Sequence, residues 1–256
     1  MKVKCRAKVN LMLKVIEKLN NGYHNLQMLN MRIDLCDYIY IEKSSEFSVT
    51  FKNEEIDPSF IYKVINRLRE CYNIKNKYDI VIEKHIPVGS GLGGASMNAA
   101  KIVDEILQLE GIDDIVLNKI NNFKDLGADI AYGFYDSLAI VEGLGEKIYI
   151  IEKENIPSLV LVNPNILIKT KDVFEKNNVY TKKLSHNEII NSSDIYINDL
   201  EKAAFLVDNS LNILKQNLTK YGKVIMSGTG SSFLVHTDKI EQIKKEYPNY
   251  LVLKVN

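Results

Sequence analysis

Four glycines fall within six residues in the stretch Pro87-Val88-Gly89-Ser90-Gly91-Leu92-Gly93-Gly94-Ala95-Ser96-Met97-Asn98-Ala99-Ala100. Glycine turns at φ > 0 and lets backbone approach a ligand closely. A β-like run, Tyr78 to Glu83, precedes the loop; apolar residues at helical spacing, Ala100, Val103, Ile106 and Leu107, follow it. Strand, glycine loop and helix together make an anion site. The helix start offers unpaired N–H groups and about half a positive charge, which suits phosphate.

Three readings compete for this loop. Gly89-x-Gly91-x-x-Gly94 matches the dinucleotide fingerprint, but that motif needs an acidic residue about 20 positions on, ending a second parallel strand. Glu110, Asp113 and Asp114 lie near that distance, in a turn that follows the helix. A Walker A loop would close on Gly-Lys-Ser/Thr, which this loop does not do. A phosphate loop of another kind, or a structural turn, remains.

Four further stretches carry chemistry-bearing residues: Ala7-Lys8-Val9-Asn10-Leu11, Gly22-Tyr23-His24, Leu126-Gly127-Ala128-Asp129 and Ser227-Gly228-Thr229-Gly230-Ser231-Ser232. Each alone has a plain explanation. Lys8 reads as a solvated strand lysine, His24 as a polar turn residue, Asp129 as a helix N-cap, and the late glycines as a tight turn.

The elements that must position these groups read as follows. Residues 3–6, 9–16, 26–35, 38–42 and 47–51 have strand patterns, with Asn21-Gly22 marking a hairpin turn. Pro58 opens a helix to Tyr72, with Ile61, Val64, Ile65 and Leu68 on one face. Helices are expected at 96–109 and 115–126, a new helical turn near Asp129, and a hairpin of 138–141 with 148–151. A polar stretch from Glu152 to Pro157 suggests a boundary, giving domains 1–154 and 155–256. Beyond it, strands at 159–162, 223–226, 233–236 and 251–253 and helices at 170–176, 198–218 and 238–247 predict an α+β half.

The 256 residues hold 33 basic and 33 acidic side chains, so no global field draws the chain to nucleic acid or an anionic membrane. Three scattered cysteines, Cys5, Cys36 and Cys71, fit neither a disulfide framework nor a zinc site, and suggest a cytoplasmic protein. The N-terminus reads as a strand rather than a signal peptide. No apolar run approaches the length of a membrane span.

In their order and wording these motifs resemble the GHMP kinase superfamily, and within it the 4-diphosphocytidyl-2-C-methyl-D-erythritol kinase family. Ala7-Lys8-Val9-Asn10-Leu11 is similar to that family's Ala-Lys-x-Asn-Leu, and Asn21-Gly22-Tyr23-His24-Asn25-Leu26-Gln27 to its Asp-Gly-Tyr-His-x-Leu-Gln. Pro87 to Ala100 resembles its Pro-x-Gly-x-Gly-Leu-Gly-Gly-Gly-Ser-Ser-Asn-Ala-Ala, and Leu126 to Asp129 its Leu-Gly-Ala-Asp. The late Ser-Gly-Thr-Gly is similar to its third glycine motif. Three positions depart: Ala95 replaces a glycine and requires a negative φ, Met97 replaces a serine, and Ser59 replaces an asparagine.

The resemblance implies a two-domain α+β GHMP kinase fold. Its N-terminal mixed sheet with helices would be ribosomal protein S5 domain 2-like, and its C-terminal domain ferredoxin-like. It implies transfer of a phosphoryl group from ATP, with Mg²⁺, to the 2-hydroxyl of a cytidine-diphosphate-linked methylerythritol. Lys8 and Asp129 fall on the catalytic pair. A carboxylate can orient a tertiary hydroxyl and accept its proton, and a neighbouring ammonium favours the ionised form. Asn10, Tyr23, His24, Thr170 and Phe174 fall on the substrate side, with Tyr23 and Phe174 stacking on cytosine and His24 reading its edge. Lys84, Pro87, Val88, Gly89, Ser90, Gly91, Leu92, Gly93, Gly94, Ala95, Ser96, Met97 and Asn98 fall on the ATP side. Metal ligands and the choice between monomer and homodimer stay open. The rival readings are a homoserine or mevalonate type of GHMP kinase, a silent nucleotide-binding relative and a dinucleotide oxidoreductase.

Overall fold

The computed structural model describes residues 2–154 and 156–255. Two long strands open the chain, β1 (Lys2–Lys18) and β2 (His24–Ser44), joined by the Asn-Gly turn. β2 is the spine of the first sheet. β1 pairs along one edge, while β4 (Lys77–Glu83) takes residues 38–44 and β5 (Ala139–Gly143) residues 26–30 of the other. β3 (Ser48–Phe51) lies parallel beyond β4, and β6 (Lys147–Ile150) antiparallel beyond β5.

The crossover from β3 to β4 is helix α1 (Ser59–Tyr72), which buries Ile61, Val64, Ile65 and Leu68, the face its spacing predicts. Asn73 ends it at φ 52°, a left-handed cap that asparagine tolerates. The long helix α2 (Gly94–Leu109) packs on the sheet and sinks Ala100, Val103, Ile106 and Leu107 into the core. Replacing Ile106 or Leu107 by alanine should cost about 2–5 kcal/mol. Two short helices follow, α3 (Val116–Phe123) and α4 (Ile130–Gly133).

The second sheet has the antiparallel order β10-β7-β9-β8, from β7 (Leu159–Asn163), β8 (Val224–Met226), β9 (Phe233–His236) and β10 (Leu251–Lys254). Helices α5 (Thr170–Lys176), α6 (His186–Asn191), α7 (Glu201–Val207) and α8 (Ser210–Leu218) lie between β7 and β8. Helix α9 (Ile240–Glu246) lies between β9 and β10. With α8 and α9 as its two crossovers this is the ferredoxin-like order expected. Each sheet draws its strands from one side of residue 155, which itself lies outside the described residues. The halves also touch directly: Asn198 bridges to Leu13 of β1.

Several expected boundaries shift. The strands expected at 3–6 and 9–16 are one strand, as are those at 26–35 and 38–42. Arg6 pairs with Cys36 and Ala7 with Ile33, so Asp34 and Leu35 form a bulge on β2 that interrupts the alternation without ending either strand. The helix expected at 198–218 is two, because Asp208 takes an extended conformation between α7 and α8. Helix α6 was not anticipated, although its capping box is present in sequence. The Ser185 hydroxyl accepts the Glu188 N–H, and the Glu188 carboxylate accepts the Ser185 N–H.

Candidate active site

Lys8 and Asn10 lie on β1, two residues apart, with side chains buried together. The Lys8 ammonium donates to Asn10 Oδ1 at 2.8 Å and lies 3.3 Å from Asp129 Oδ2. Asn10 pairs across the hairpin with Asn30, and its Nδ2 donates to Asn30 Oδ1 at 2.6 Å. Asp129 immediately precedes α4, yet its carboxylate makes no capping hydrogen bond. It points instead at Lys8 and keeps about a quarter of its side chain exposed. Neither plain reading holds, since Lys8 is only 3% exposed.

The two glycine loops hold this strand from either side. Lys8 N–H donates to Leu92 O at 3.0 Å, and Asn10 N–H to Ser227 Oγ at 3.1 Å. Gly93, at φ +71°, lies against the Lys8 stem; a Cβ there would come within 2.9 Å of Lys8 Cε. Gly91, at φ +76°, sits against the second loop, where a Cβ would be 2.2 Å from Ser227 O. Asn198 locks that second loop by donating to Met226 O and Gly228 O, each at 2.7 Å.

Gly93 is also the residue ahead of α2, and no side chain caps that helix. Gly94, Ala95 and Ser96, whose N–H groups begin the helix, line a cavity of about 400 Å³. Ala95 is helical, the backbone conformation that the loss of glycine requires. Phe51, Ile56, Phe60 and Ile61 line the cavity with apolar side chains, as do Leu13, Leu26, Met28 and Phe174, with Thr170 beside them. Lys8, Asn10 and Asp129 line the same cavity. Uncapped N–H groups, a glycine-rich backbone and an ammonium fit a triphosphate.

The description "GHMP kinases N terminal domain" matches residues 59–141. A 4-diphosphocytidyl-2-C-methyl-D-erythritol kinase of Clostridium tetani is 32% identical over 98% of this chain and 84% of its own length. The chain belongs to the 4-diphosphocytidyl-2-C-methyl-D-erythritol kinase family. In fold, a crystal structure of a 4-(cytidine 5′-diphospho)-2C-methyl-D-erythritol kinase superposes with TM-score 0.80 at 23% identity, covering 100% of this chain and 99% of that one. Methanococcus jannaschii mevalonate kinase follows the same path at TM-score 0.69 and 15% identity, covering 99% and 97%.

As a member of the 4-diphosphocytidyl-2-C-methyl-D-erythritol kinase family, this chain is a small-molecule kinase of the GHMP type, and ATP is its phosphoryl donor. Its own geometry corrects several residue assignments. Met97 is fully buried, its Sδ against an Arg32 guanidinium N–H and its own N–H bonded within the helix to Gly93 O. Neither group is left for ATP. Ser90, whose hydroxyl donates to Pro87 O at 2.6 Å, and Leu92, whose side chain packs in the core, both still line the cavity. Tyr23 is 62% exposed and does not line the cavity. His24 stacks on Phe174, centroids 4.9 Å apart, and meets the cavity only through that ring. Its Nε2 is buried without a partner among the described residues. Burial first, and Lys18 second, push the His24 imidazole below its usual range, so the ring is neutral at pH 7. Thr170 lines the cavity, with its hydroxyl 3.3 Å from that of Thr229.

Lys84 is buried in an ion pair with Asp37 and also lines the cavity. At the departure site Ser59, both the N–H and the hydroxyl donate to Asp57, at 2.9 Å each; they hold that carboxyl below the usual carboxylate range at the cavity rim. Sequence reasoning missed Asn30, Asp37 and Asn198. Asn30 and Asp37 interrupt apolar strand pattern, which is a signal, but their partners appear only once the register is known.

Proposed function

We propose that this kinase transfers the γ-phosphoryl group of ATP to the 2-hydroxyl of 4-diphosphocytidyl-2-C-methyl-D-erythritol, a step of non-mevalonate isoprenoid precursor synthesis. The observation that carries the reading is the contact of Lys8 with Asp129 beside the uncapped start of α2. Asp129 Oδ2 takes the proton of the acceptor hydroxyl as its oxygen bonds to the γ-phosphorus. The bond from that phosphorus to the β,γ-bridging oxygen breaks, and ADP leaves with the electron pair. Lys8 fixes the carboxylate and offsets charge on the transferring group. Such transfers need mainly positioning and electrostatic stabilisation.

The backbone of residues 89–96 would hold the β- and γ-phosphates, and the apolar wall of Phe51, Ile56 and Phe60 the adenine. Mg²⁺ would enter with the triphosphate and supply charge neutralisation. Among the described residues no three His, Cys, Asp or Glu side chains converge on a metal site. On the acceptor side, Phe174 offers a ring face to a nucleobase, and His24, stacked against it outside the cavity lining, would hold that ring in place. Base stacking of this kind is worth about 1–3 kcal/mol. Asn10 and Thr170 would contact the polyol and phosphate portion.

A coupled ADP-release assay comparing the cytidyl alcohol, mevalonate and homoserine tests this. Turnover is expected with the first alone. A preference for either other alcohol would assign the site to another GHMP kinase type, and ATP binding without turnover on any would favour a silent relative.

A further inference from the structure

Asp37 lies on β2 at the point where its ladder with β4 stops, the last pair being Tyr38 with Glu83. There the chain leaves the sheet for the glycine loop. The Asp37 side chain is completely buried and accepts four hydrogen bonds. Oδ1 takes the His85 N–H at 2.7 Å and the Ile86 N–H at 2.8 Å. Oδ2 takes the Lys84 ammonium, and Asn98 Nδ2 at 2.9 Å. Residues 84–86 are the entry to the loop, and Asn98 stands in the first turns of the helix that leaves it. One carboxylate therefore ties both ends of the loop together.

Two details separate this node from an ordinary core contact. Asn98 Oδ1 is buried with no partner among the described residues, so Asp37 supplies the bond that orients the Asn98 amide. The Lys84 ammonium lies 3.2 Å from where a Cβ on Gly94 would stand, and Lys84 also lines the cavity. It thus adds positive charge beside the first residue of α2. A buried ion pair seldom contributes more stability than apolar residues of the same size. Its benefit is a fixed geometry, and a preformed array of N–H donors binds an anion without the cost of ordering.

We propose that Asp37 is a positioning residue for nucleotide binding. It acts through Lys84 and Asn98 to hold the glycine loop as a triphosphate cradle, without touching nucleotide itself. The inference rests on the loop being that cradle, not on the identity of the acceptor alcohol.

The test is calorimetric binding of Mg·ATP without acceptor, for the wild type, Asp37→Asn, Lys84→Met, the double variant and Asn98→Ala, with both KM values measured alongside. Asp37→Asn keeps an acceptor for His85 and Ile86 but confronts Lys84 and Asn98 with an NH₂ donor. It is expected to weaken ATP roughly tenfold or more, the scale of a lost charge-assisted bond. Acceptor KM should stay within about twofold, a split that general destabilisation would not give. The double variant should bind ATP no more weakly than Asp37→Asn, because both changes act on one node. Losses that multiply would mean that Lys84 touches nucleotide independently, and would overturn the proposal, as would wild-type ATP affinity in Asp37→Asn. Should Asp37→Asn not fold, Asn98→Ala decides: a roughly threefold to tenfold loss supports the node, and unchanged affinity refutes it. A wild type that binds no ATP would remove the cradle itself. ATP binding with no turnover of the cytidyl alcohol would instead overturn the acceptor assignment and leave the Asp37 result standing.

Discussion

The Lys8 ammonium stands 3.3 Å from the Asp129 carboxylate, one carried by the first strand and the other by the turn ahead of α4. The lysine is held from both directions: its backbone N–H by Leu92 of the first glycine loop, its ammonium by Asn10. Asp129 retains exposed surface toward the cavity. One group is fixed and buried, the other fixed yet reachable, which is the division of labour that proton acceptance from a bound alcohol requires.

The interlock of the two glycine loops should be intolerant of any side chain at Gly91. A Cβ there would overlap Ser227 O, and φ is +76°. Gly91→Ala is expected to lower kcat/KM for ATP by roughly tenfold or more, combining left-handed strain with displacement of backbone rather than a flexible side chain. Steady-state kinetics with a thermal melt checks this. Wild-type kinetics would show that the loops need not touch.

His24 stacks on Phe174, whereas Tyr23 is largely exposed. His24→Ala should raise acceptor KM by roughly 5- to 100-fold, with ATP KM within about twofold; Tyr23→Ala should have the smaller effect. If both KM values rise together in His24→Ala, the stack does not belong to the acceptor.

The same histidine sets a pH dependence. Burial lowers its pKa, so the folded protein resists protonating the ring. Between the lowered folded value and the ordinary value of about 6.5, the unfolded chain binds more protons. The stability contribution is therefore complete above about pH 6.5 and declines as pH falls toward the folded value. Acceptor KM should be flat from about pH 8 to 6.5 and rise only further down, as pH approaches the lowered folded value. A profile that His24→Ala leaves unaltered would place the titration elsewhere.

Cysteine reactivity follows burial. The Cys5 thiol is buried and pushed up to about 12, and burial also raises Cys36, while Cys71 is exposed. Native protein treated with iodoacetamide at pH 7.5 should take up one adduct, at Cys71, as peptide mass spectrometry would read. Fast labelling of Cys5 would contradict the packing of β1 on β2.

Much of this was legible in the residues. The helical face of α1, the start of β7 and the whole of α5 stand where their patterns put them, because each has one clear periodicity. The bulge at Asp34 and Leu35 was not, since a two-residue interruption in a strand reads like a turn until the partner strand continues past it. For the site, motif order named Lys8, Asp129 and the glycine loop, which the structure brings to one cavity. It did not show that Met97 turns into the core, or that Lys84, at the cavity, is paired with Asp37. Side-chain direction depends on the turn of α2 and on the β2–β4 register, and neither is written in a local motif.

The most direct measurement is kcat of Asp129→Asn with saturating ATP and cytidyl alcohol. The substitution keeps the size of the side chain and removes the proton acceptor facing Lys8. The expected result is a fall in kcat of roughly 10²- to 10⁴-fold with both KM values nearly unchanged. Near-normal turnover in that variant would contradict the assignment of Asp129 as the group that accepts the alcohol's proton.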